Sequence, residues 1–170
     1  KEWFQKNSFN ENIFESRVIK FAGISESSLA ADLEDLLENE NPTIAPYADI
    51  GEVKLRITAK AKNKKKADEM LNPLEEELIM RGKDHFYGKD DDNLASTVIE
   101  LLRERGEKLV VAESCTGGAI GAALSNIPGA SDVFIGGIIA YNNSIKKDIL
   151  GVSQKSLEAY GAVSNEVVKE

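Results

Sequence analysis

The segment from Leu109 to Gly118, with the sequence LVVAESCTGG, constrains the fold of this chain more than any other. Its apolar start, Leu109 to Ala112, is typical of a strand buried in a parallel sheet. Four polar or reactive side chains and two glycines follow, and glycines allow the tight turn that leads from a strand into a helix. The small apolar residues beyond them predict a helix from about Gly118 to Leu124. Strand, turn and helix in this order predict an α/β domain.

A second apolar strand is predicted from Val133 to Tyr141. Helices are predicted to begin near Asn143, Gln154 and Asn165. Parallel strands joined by a helix end at the same edge of their sheet, and α/β proteins bind ligands at that edge. We therefore expect residues 113–118 to lie close to Tyr141 and Lys146.

The first half of the chain contains a strand with one buried face, in which Val53, Leu55, Ile57 and Ala59 alternate with polar residues. Further strands are predicted over residues 17–22, 43–48 and 84–87, and helices over about 26–39 and 64–80. Pro46 predicts that its strand lies at a sheet edge, because proline cannot donate to a neighbouring strand. The order β-α-β-β-α-β predicts an α+β sandwich with both helices on one face of the sheet.

The predicted domains are this α+β domain over residues 16–88 and the α/β domain over residues 93–170. Residues 1–15 lack a periodic pattern and are predicted to be a linker, in which Trp3 and Phe4 would contact a partner or another domain. A charged hinge separates the two domains. The chain begins with Lys1 and ends at Glu170 inside a predicted helix. We therefore expect a piece of a longer protein, with the α/β layers incomplete at the carboxy end.

Composition narrows the possible partners and the cellular compartment. The formal net charge of −8 disfavours a general affinity for nucleic-acid phosphates and for anionic membranes. No apolar stretch reaches the roughly 18–20 residues that span a bilayer, and no signal peptide is visible. The one cysteine, Cys115, excludes an internal disulfide and is typical of a reducing cytosol. We therefore expect a cytoplasmic protein without membrane contact.

The turn at residues 113–118 has two interpretations. In the first, Ser114 or Thr116 merely caps the next helix. In the second, Ser114 is a nucleophile, and it then needs a proton acceptor. The only histidine, His85, lies in the first domain, so a Ser-His-Asp triad within the second domain is excluded. A lysine is the usual substitute, and Lys146 is the candidate, although a single helix lysine is more often solvated.

Three other patterns favour structural interpretations. Cys115 is an alternative nucleophile, but a single cysteine beside a strand end is more often a small buried residue. Residues 144–147 match S-x-x-K, but the S-D-N and K-T-G partners of that motif are missing. The run Asp90-Asp91-Asp92 favours the start of the next helix over a metal cluster. No metal and no cofactor are therefore expected.

Long segments also resemble a known family. The stretches VVAESCTGGAIGAALSNIPGASDVFIGGIIAYNNSIKKDILGV and YGAVSNEVVKE resemble the carboxy-terminal domain of the competence-damage-inducible protein CinA. That family includes stand-alone nicotinamide-mononucleotide deamidases. The preceding block, with GISES, NPTIAPYADIGEVKLRITAKA and HFYG, is similar to the KH-like middle domain of full-length CinA. The resemblance implies a KH-like α+β sandwich followed by the deamidase domain.

The resemblance implies a hydrolase of pyridine nucleotide salvage, an amidase that converts nicotinamide mononucleotide into nicotinic acid mononucleotide and ammonia. Ser114 would be the nucleophile, Lys146 the base, and Tyr141 a proton relay or a support for the lysine. Backbone N–H groups around Thr116 to Gly118 would stabilise the oxyanion or hold the nucleotide. The substrate-binding set would be Glu113, which would also orient the turn, with Thr116, Gly117, Gly118 and Asn143.

The chain departs from the family pattern at three places. It has Asn142-Asn143-Ser144 where the family tends to have Ser-Asn-Glu, and a glycine-rich loop of the family would lie beyond Glu170. The family's amino-terminal pyrophosphatase-like domain is also absent. We therefore expect residues 1–170 alone to self-associate and to show little or no deamidase activity.

The resemblance also bears on partners. The lysine run at residues 62–66 lacks the G-x-x-G of RNA-binding KH domains, so direct nucleic-acid binding is not expected. The family suggests a homo-oligomer, a dimer, and a possible recombination-protein partner. The alternative function is a non-catalytic nucleotide-binding or protein-interaction module linked to competence and recombination.

Overall fold

The structure, a computed structural model, describes residues 12–49 and 51–170, and it divides into two units between Leu94 and Ala95. The predictions for Trp3 and Phe4 lie outside the described residues. The first strand, β1, begins at Ile13, so the last residues assigned to the linker belong to a strand instead.

The first unit has the predicted order of strands and helices, with its first helix split in two. Its elements are β1 (Ile13–Ala22), α1 (Glu26–Asp32), α2 (Glu34–Leu37), β2 (Thr43–Asp49), β3 (Glu52–Ala61), α3 (Lys64–Arg81) and β4 (Phe86–Lys89). The strands form an antiparallel sheet in the order β2-β3-β1-β4. The prediction that Pro46 lies in an edge strand is confirmed, because β2 is at the edge.

One face of this sheet and the helices share a hydrophobic core. The alternating apolar residues of β3, from Val53 to Ala61, are buried together with Ile19 and Phe21 of β1. Leu29 and Leu33 from the first helical segment and Leu71 and Leu78 from α3 complete this core. The α+β sandwich predicted from the period-2 and helical patterns is therefore confirmed.

Several boundaries differ from the predictions, and two of those in the first unit have a clear physical reason. The helix expected over residues 26–39 breaks at Leu33, whose backbone leaves helical geometry with φ −120° and ψ 11° while its side chain is buried. The fourth strand begins at Phe86 rather than Asp84. The N–H groups of His85 and Phe86 both donate to the Gly82 carbonyl, and this turn holds the residues before the strand.

The second unit is built around two parallel strands. Its elements are α4 (Leu94–Arg105), β5 (Leu109–Glu113), α5 (Ala119–Ser125), a 3₁₀ turn (Ala130–Asp132), β6 (Phe134–Ile139), α6 (Asn143–Asp148), α7 (Gln154–Tyr160) and α8 (Asn165–Lys169). The two strands pair from Leu109 opposite Phe134 to Glu113 opposite Ile139. The predicted strand, helix, strand order with a parallel pairing is confirmed.

The strands of the second unit are buried on one face only, which corrects the expectation of full burial. Leu109, Val111 and Phe134 pack on a core that includes Ile99 of α4 and Leu124 of α5. The opposite face carries Val110 and Ile135, each of which is more than half exposed. The helices that pack on this core lie on one side of the two strands. The apolar sequences of these strands predict burial on both faces, but only one face is covered. In the part of the chain that the structure describes, no helix is long and apolar enough to span a bilayer.

Candidate active site

The two parallel strands bring the chain segments that follow them side by side. The Ala140 N–H, just after β6, donates to the Glu113 carbonyl at the end of β5 over 2.6 Å. Ser114 therefore begins its turn directly beside the segment that leads into α6. The expectation that residues 113–118 lie close to Lys146 is confirmed by the contacts of the two side chains.

Lys146 is buried at this edge of the sheet, with 4% of its surface exposed. Its Nζ donates to the Ser114 Oγ at 3.0 Å, to the Ala140 carbonyl at 2.5 Å and to the Tyr141 carbonyl at 3.3 Å. Asn142 caps α6 by accepting from the Ser144 N–H, and the Lys146 N–H donates to the Asn142 carbonyl. This cap begins the helix one turn before the lysine, so the side chain returns to the strand ends.

The three acceptors around Lys146 match the three N–H donors of an ammonium group. When the amine is neutral, two N–H groups remain for the Ala140 and Tyr141 carbonyls, and the lone pair then faces Ser114. The same geometry therefore serves both protonation states, as a group that accepts and returns a proton requires. The arrangement suits Ser114 as a nucleophile with Lys146 as its base.

Glu113 is also buried, with 3% of its surface exposed, and its carboxylate lies at the start of α5. Its Oε2 accepts from the N–H groups of Gly118 and Ile120, each at 3.0 Å, and its Oε1 accepts from the Gly121 N–H at 2.8 Å. Burial by itself raises the pKa of Glu113. The hydrogen bonds from the Gly121 N–H, the Thr116 hydroxyl and the other two amides outweigh burial and hold this pKa below its ordinary value of 4.5.

The sequence predicts that the backbone N–H groups of the two glycines in the turn are free to bind a ligand, but both are already hydrogen-bonded. The Gly117 N–H donates to the Ser114 carbonyl at 3.0 Å, and the Gly118 N–H donates to Glu113. The prediction that these two amides hold a nucleotide or an oxyanion is therefore wrong. Within the described residues, the N–H groups of Ser114, Cys115 and Thr116 have no hydrogen-bond partner, and they are the amides of this turn left for a ligand.

Tyr141, Thr116 and Asn143 lie at the same edge in different roles. The Tyr141 carbonyl contacts Lys146, whereas its side chain is 73% exposed and its phenol has no hydrogen bond to Lys146 or Ser114 among the described contacts. Thr116 is exposed and bonds to Glu113. Asn143 is exposed in the first turn of α6. The structure thus brings Ser114 and Lys146 together through side chains, and Tyr141 through its backbone.

Cys115 is exposed, so the prediction of a buried small residue is wrong. The reason is its place on the turn, beyond the last paired residue of β5. The Ala140 carbonyl, which holds Lys146, is a contact that the sequence reading missed. A backbone acceptor leaves no side-chain pattern in the sequence, so the sequence did not indicate this contact.

A cleft of about 270 Å³ opens beside this pair. Its polar groups include Ser114 and Lys146, and its apolar wall includes Ala140, Leu150, Val152 and Val167. The volume is near the lower end of the roughly 300–1,000 Å³ that small-molecule sites occupy.

The other candidate groups have local structural contacts. Asp90 and Asp92 accept from the N–H groups of Val18 and Lys89. His85 makes a 3.0 Å contact from its Nδ1 to the Ala22 carbonyl. Among residues 12–49 and 51–170, no group of three His, Cys, Asp or Glu side chains is placed to hold a metal ion.

Comparison with known proteins identifies the family. The model of the CinA C-terminal domain matches residues 91–170, and the model of the damage-inducible protein CinA KH domain matches residues 16–88. The chain belongs to the CinA family. The CinA C-terminal match contains the whole Ser114–Lys146 site.

Several relatives are similar in sequence to most of this chain. A CinA-like protein of Prochlorococcus marinus strain MIT 9313 is 52% identical over 167 residues, which are 98% of this chain and 39% of the relative. Another, from Synechococcus sp. strain CC9902, is 50% identical over 167 residues, or 98% of this chain and 40% of the relative. The chain thus spans about two fifths of the length of these relatives. A crystal structure of the competence/damage inducible protein CihA from Agrobacterium tumefaciens is 42% identical, covers 44% of this chain and 45% of its own, and has a TM-score of 0.43.

Proposed function

We propose that the CinA C-terminal domain of this chain contributes the active site of an amidohydrolase that deamidates nicotinamide mononucleotide. The observation that carries the proposal is the 3.0 Å contact between the Lys146 Nζ and the Ser114 Oγ at the mouth of a cleft. Membership of the CinA family supports the choice of a pyridine nucleotide as substrate. The products would be nicotinic acid mononucleotide and ammonia.

In the first half of the reaction, the Ser114 Oγ attacks the carboxamide carbon while Lys146 accepts the hydroxyl proton. The carbonyl oxygen becomes an oxyanion, to which the N–H groups of Cys115 and Thr116 would donate. Lys146 then gives its proton to the nitrogen of the substrate as the C–N bond breaks, and ammonia leaves. An ester between Ser114 and the nicotinoyl group remains.

In the second half, Lys146 accepts a proton from a water molecule, which attacks the ester carbon. The serine oxygen leaves and recovers a proton from Lys146, and the acid product departs. The apolar wall of the cleft, with Val152 and Val167, suits the flat pyridine ring. Besides the substrate and water, these steps use Ser114, Lys146 and the backbone amides of the turn.

The test is an ammonia-release assay on nicotinamide mononucleotide with the full-length protein that contains this chain. Ser114→Ala should lower turnover by several orders of magnitude while substrate binding is retained, because a covalent nucleophile has no substitute. Ser144→Ala, on the exposed start of α6, is the matched control and should keep turnover. Retention of more than about a tenth of the rate by Ser114→Ala would reject the assignment.

Cys115→Ala separates the two candidate nucleophiles on the same turn. It should keep turnover if Ser114 attacks the substrate, since the side chain of Cys115 is exposed and makes no described contact with Lys146. Loss of turnover in Cys115→Ala, with Ser114→Ala still active, would transfer the role to the thiol.

A further inference from the structure

The buried carboxylate of Glu113 is a negative charge that the proposed reaction does not use. It accepts three backbone N–H groups, from Gly118, Ile120 and Gly121, and a hydrogen bond from the Thr116 side chain. Free amides at the start of a helix are a common binding place for phosphate groups. In this chain those amides are already occupied by a side chain of the same turn.

The backbone around Glu113 connects this anchor to the reacting pair. Successive side chains of a strand point to opposite sides, so Glu113 enters the start of α5 while Ser114 faces Lys146. The Glu113 carbonyl accepts the Ala140 N–H, and the Ala140 carbonyl accepts from Lys146. A shift of Glu113 would therefore displace both the nucleophile and the carbonyl that holds its base.

The close approach of the carboxylate leaves little room for a side chain at position 121. A Cβ at Gly121 would lie 3.3 Å from the Glu113 Oε1, which is closer than ordinary van der Waals contact. Together with Gly117 and Gly118, whose φ angles are +60° and +100°, this glycine shapes the turn around the carboxylate. The Glu113 carboxylate therefore has direct contacts with Gly118 and Gly121, whereas Gly117 bonds to the Ser114 carbonyl.

We propose that Glu113 is a positioning residue whose carboxylate takes the place of a ligand phosphate at the start of α5, holds Ser114 against Lys146, and excludes the phosphate of the substrate from this turn. A second anion there would meet the carboxylate and find the three amides already bonded. The carboxamide end of the nucleotide therefore faces the turn, and its phosphate lies at the far side of the cleft. The part of this inference that concerns the substrate rests on the proposed deamidase function.

The first experiment compares Glu113→Gln with Glu107→Gln in the full-length protein. A glutamine directs one N–H₂ group at amides that are themselves donors, so the turn should rearrange. We expect kcat to fall by about tenfold or more in Glu113→Gln with KM changed by less than about threefold, because transition-state positioning is lost rather than uniform binding. Glu107 is exposed ahead of β5 and should leave both constants unchanged.

The second experiment uses formate as a replacement for the missing carboxylate and needs no enzymatic activity. Glu113→Ala leaves three backbone amides without their acceptor, and about 100 mM sodium formate should raise its unfolding temperature more than that of the wild type. Sodium chloride at the same ionic strength should not. Gly121→Ala, which keeps the carboxylate but crowds it, should lower kcat without gaining any stabilisation from formate.

The outcomes separate this inference from the proposed function. A wild-type kcat in Glu113→Gln, or equal effects of formate on Glu113→Ala and the wild type, would overturn it. If the wild type releases no ammonia but formate still selectively stabilises Glu113→Ala, the proposed reaction is wrong and the anchoring role of Glu113 stands.

Discussion

At the scale of single residues, the burial of Lys146 places its amine against protein acceptors instead of water. Helix lysines are mostly solvated, but this one is enclosed by two carbonyls and a serine hydroxyl. An amine that accepts a proton from Ser114 must reach its hydroxyl, and these contacts hold the Lys146 Nζ 3.0 Å from the Ser114 Oγ. The neighbouring Lys147 has no such enclosure and is exposed.

Replacement of Lys146 by methionine should remove the proposed base while keeping a long, unbranched side chain. We expect turnover to fall by about 10²–10⁴-fold, the range typical of general-base removal, in the ammonia-release assay. Circular dichroism would check that the fold is retained. Lys147→Met is the matched control, and equal activity in both variants would exclude Lys146 as the base.

At the scale of elements, the turn between β5 and α5 depends on backbone geometry that only glycine adopts easily. Gly118 has φ +100°, and a Cβ there would lie 2.8 Å from the Cδ1 of Ile139 on the neighbouring strand. The turn therefore combines a conformational requirement with a close approach to β6. Gly106, after α4, has φ +65° but open space around its Cα.

Gly118→Ala should lower the free energy of unfolding of the second unit by more than the roughly 1–2 kcal/mol that a left-handed backbone costs an alanine, because Ile139 must also move. Gly106→Ala should show the backbone cost alone. Denaturant unfolding of the two variants would measure the difference. Equal losses would mean that Ile139 yields freely and that the contact does not constrain the turn.

At the scale of the whole molecule, charges as well as the apolar core hold the first unit together. Arg17 of β1 bonds to Asp68 and Glu75 of α3, and Lys89 of β4 bonds to Glu75, at distances of 2.6–2.7 Å. Burial raises the pKa of Glu75, but Lys89 and Arg17 outweigh it and lower this pKa below its ordinary value of 4.5. The ionised carboxylate is therefore favoured by the folded state.

This network should make the stability of the first unit depend on pH. Because the pKa of Glu75 is lower in the folded state, its contribution is fully present above about pH 4.5 and is lost as the pH falls through the folded value. Glu75→Gln should cost about 1–3 kcal/mol at pH 7 and flatten the acid limb of an unfolding series. Glu76→Gln, at the exposed neighbouring position, should do neither, and identical pH profiles for both variants would contradict the role of Glu75.

The amino-acid sequence by itself determined the element order of both units. The period-2 pattern of β3, the helical spacing in α3 and the apolar run before the glycine turn are local signals, because a strand or helix buries one face at a fixed spacing. Ser114 and Lys146 were also identifiable as candidates, because a serine nucleophile without a histidine in its domain needs another base and a lysine is the usual substitute. The helix break at Leu33 could not be identified from the sequence, because it depends on how the side chains pack against the sheet in the folded core.

Only the tertiary structure decided what the residues of the turn do. The sequence leaves Gly117 and Gly118 free to bind an anion, but the folded chain uses their amides for Ser114 and Glu113. It suggests a buried Cys115, which is exposed, and it cannot report that the Ala140 carbonyl holds Lys146. Such contacts join residues up to about thirty positions apart through backbone atoms that every residue carries, so no side-chain pattern records them, and they exist only once the strands have paired.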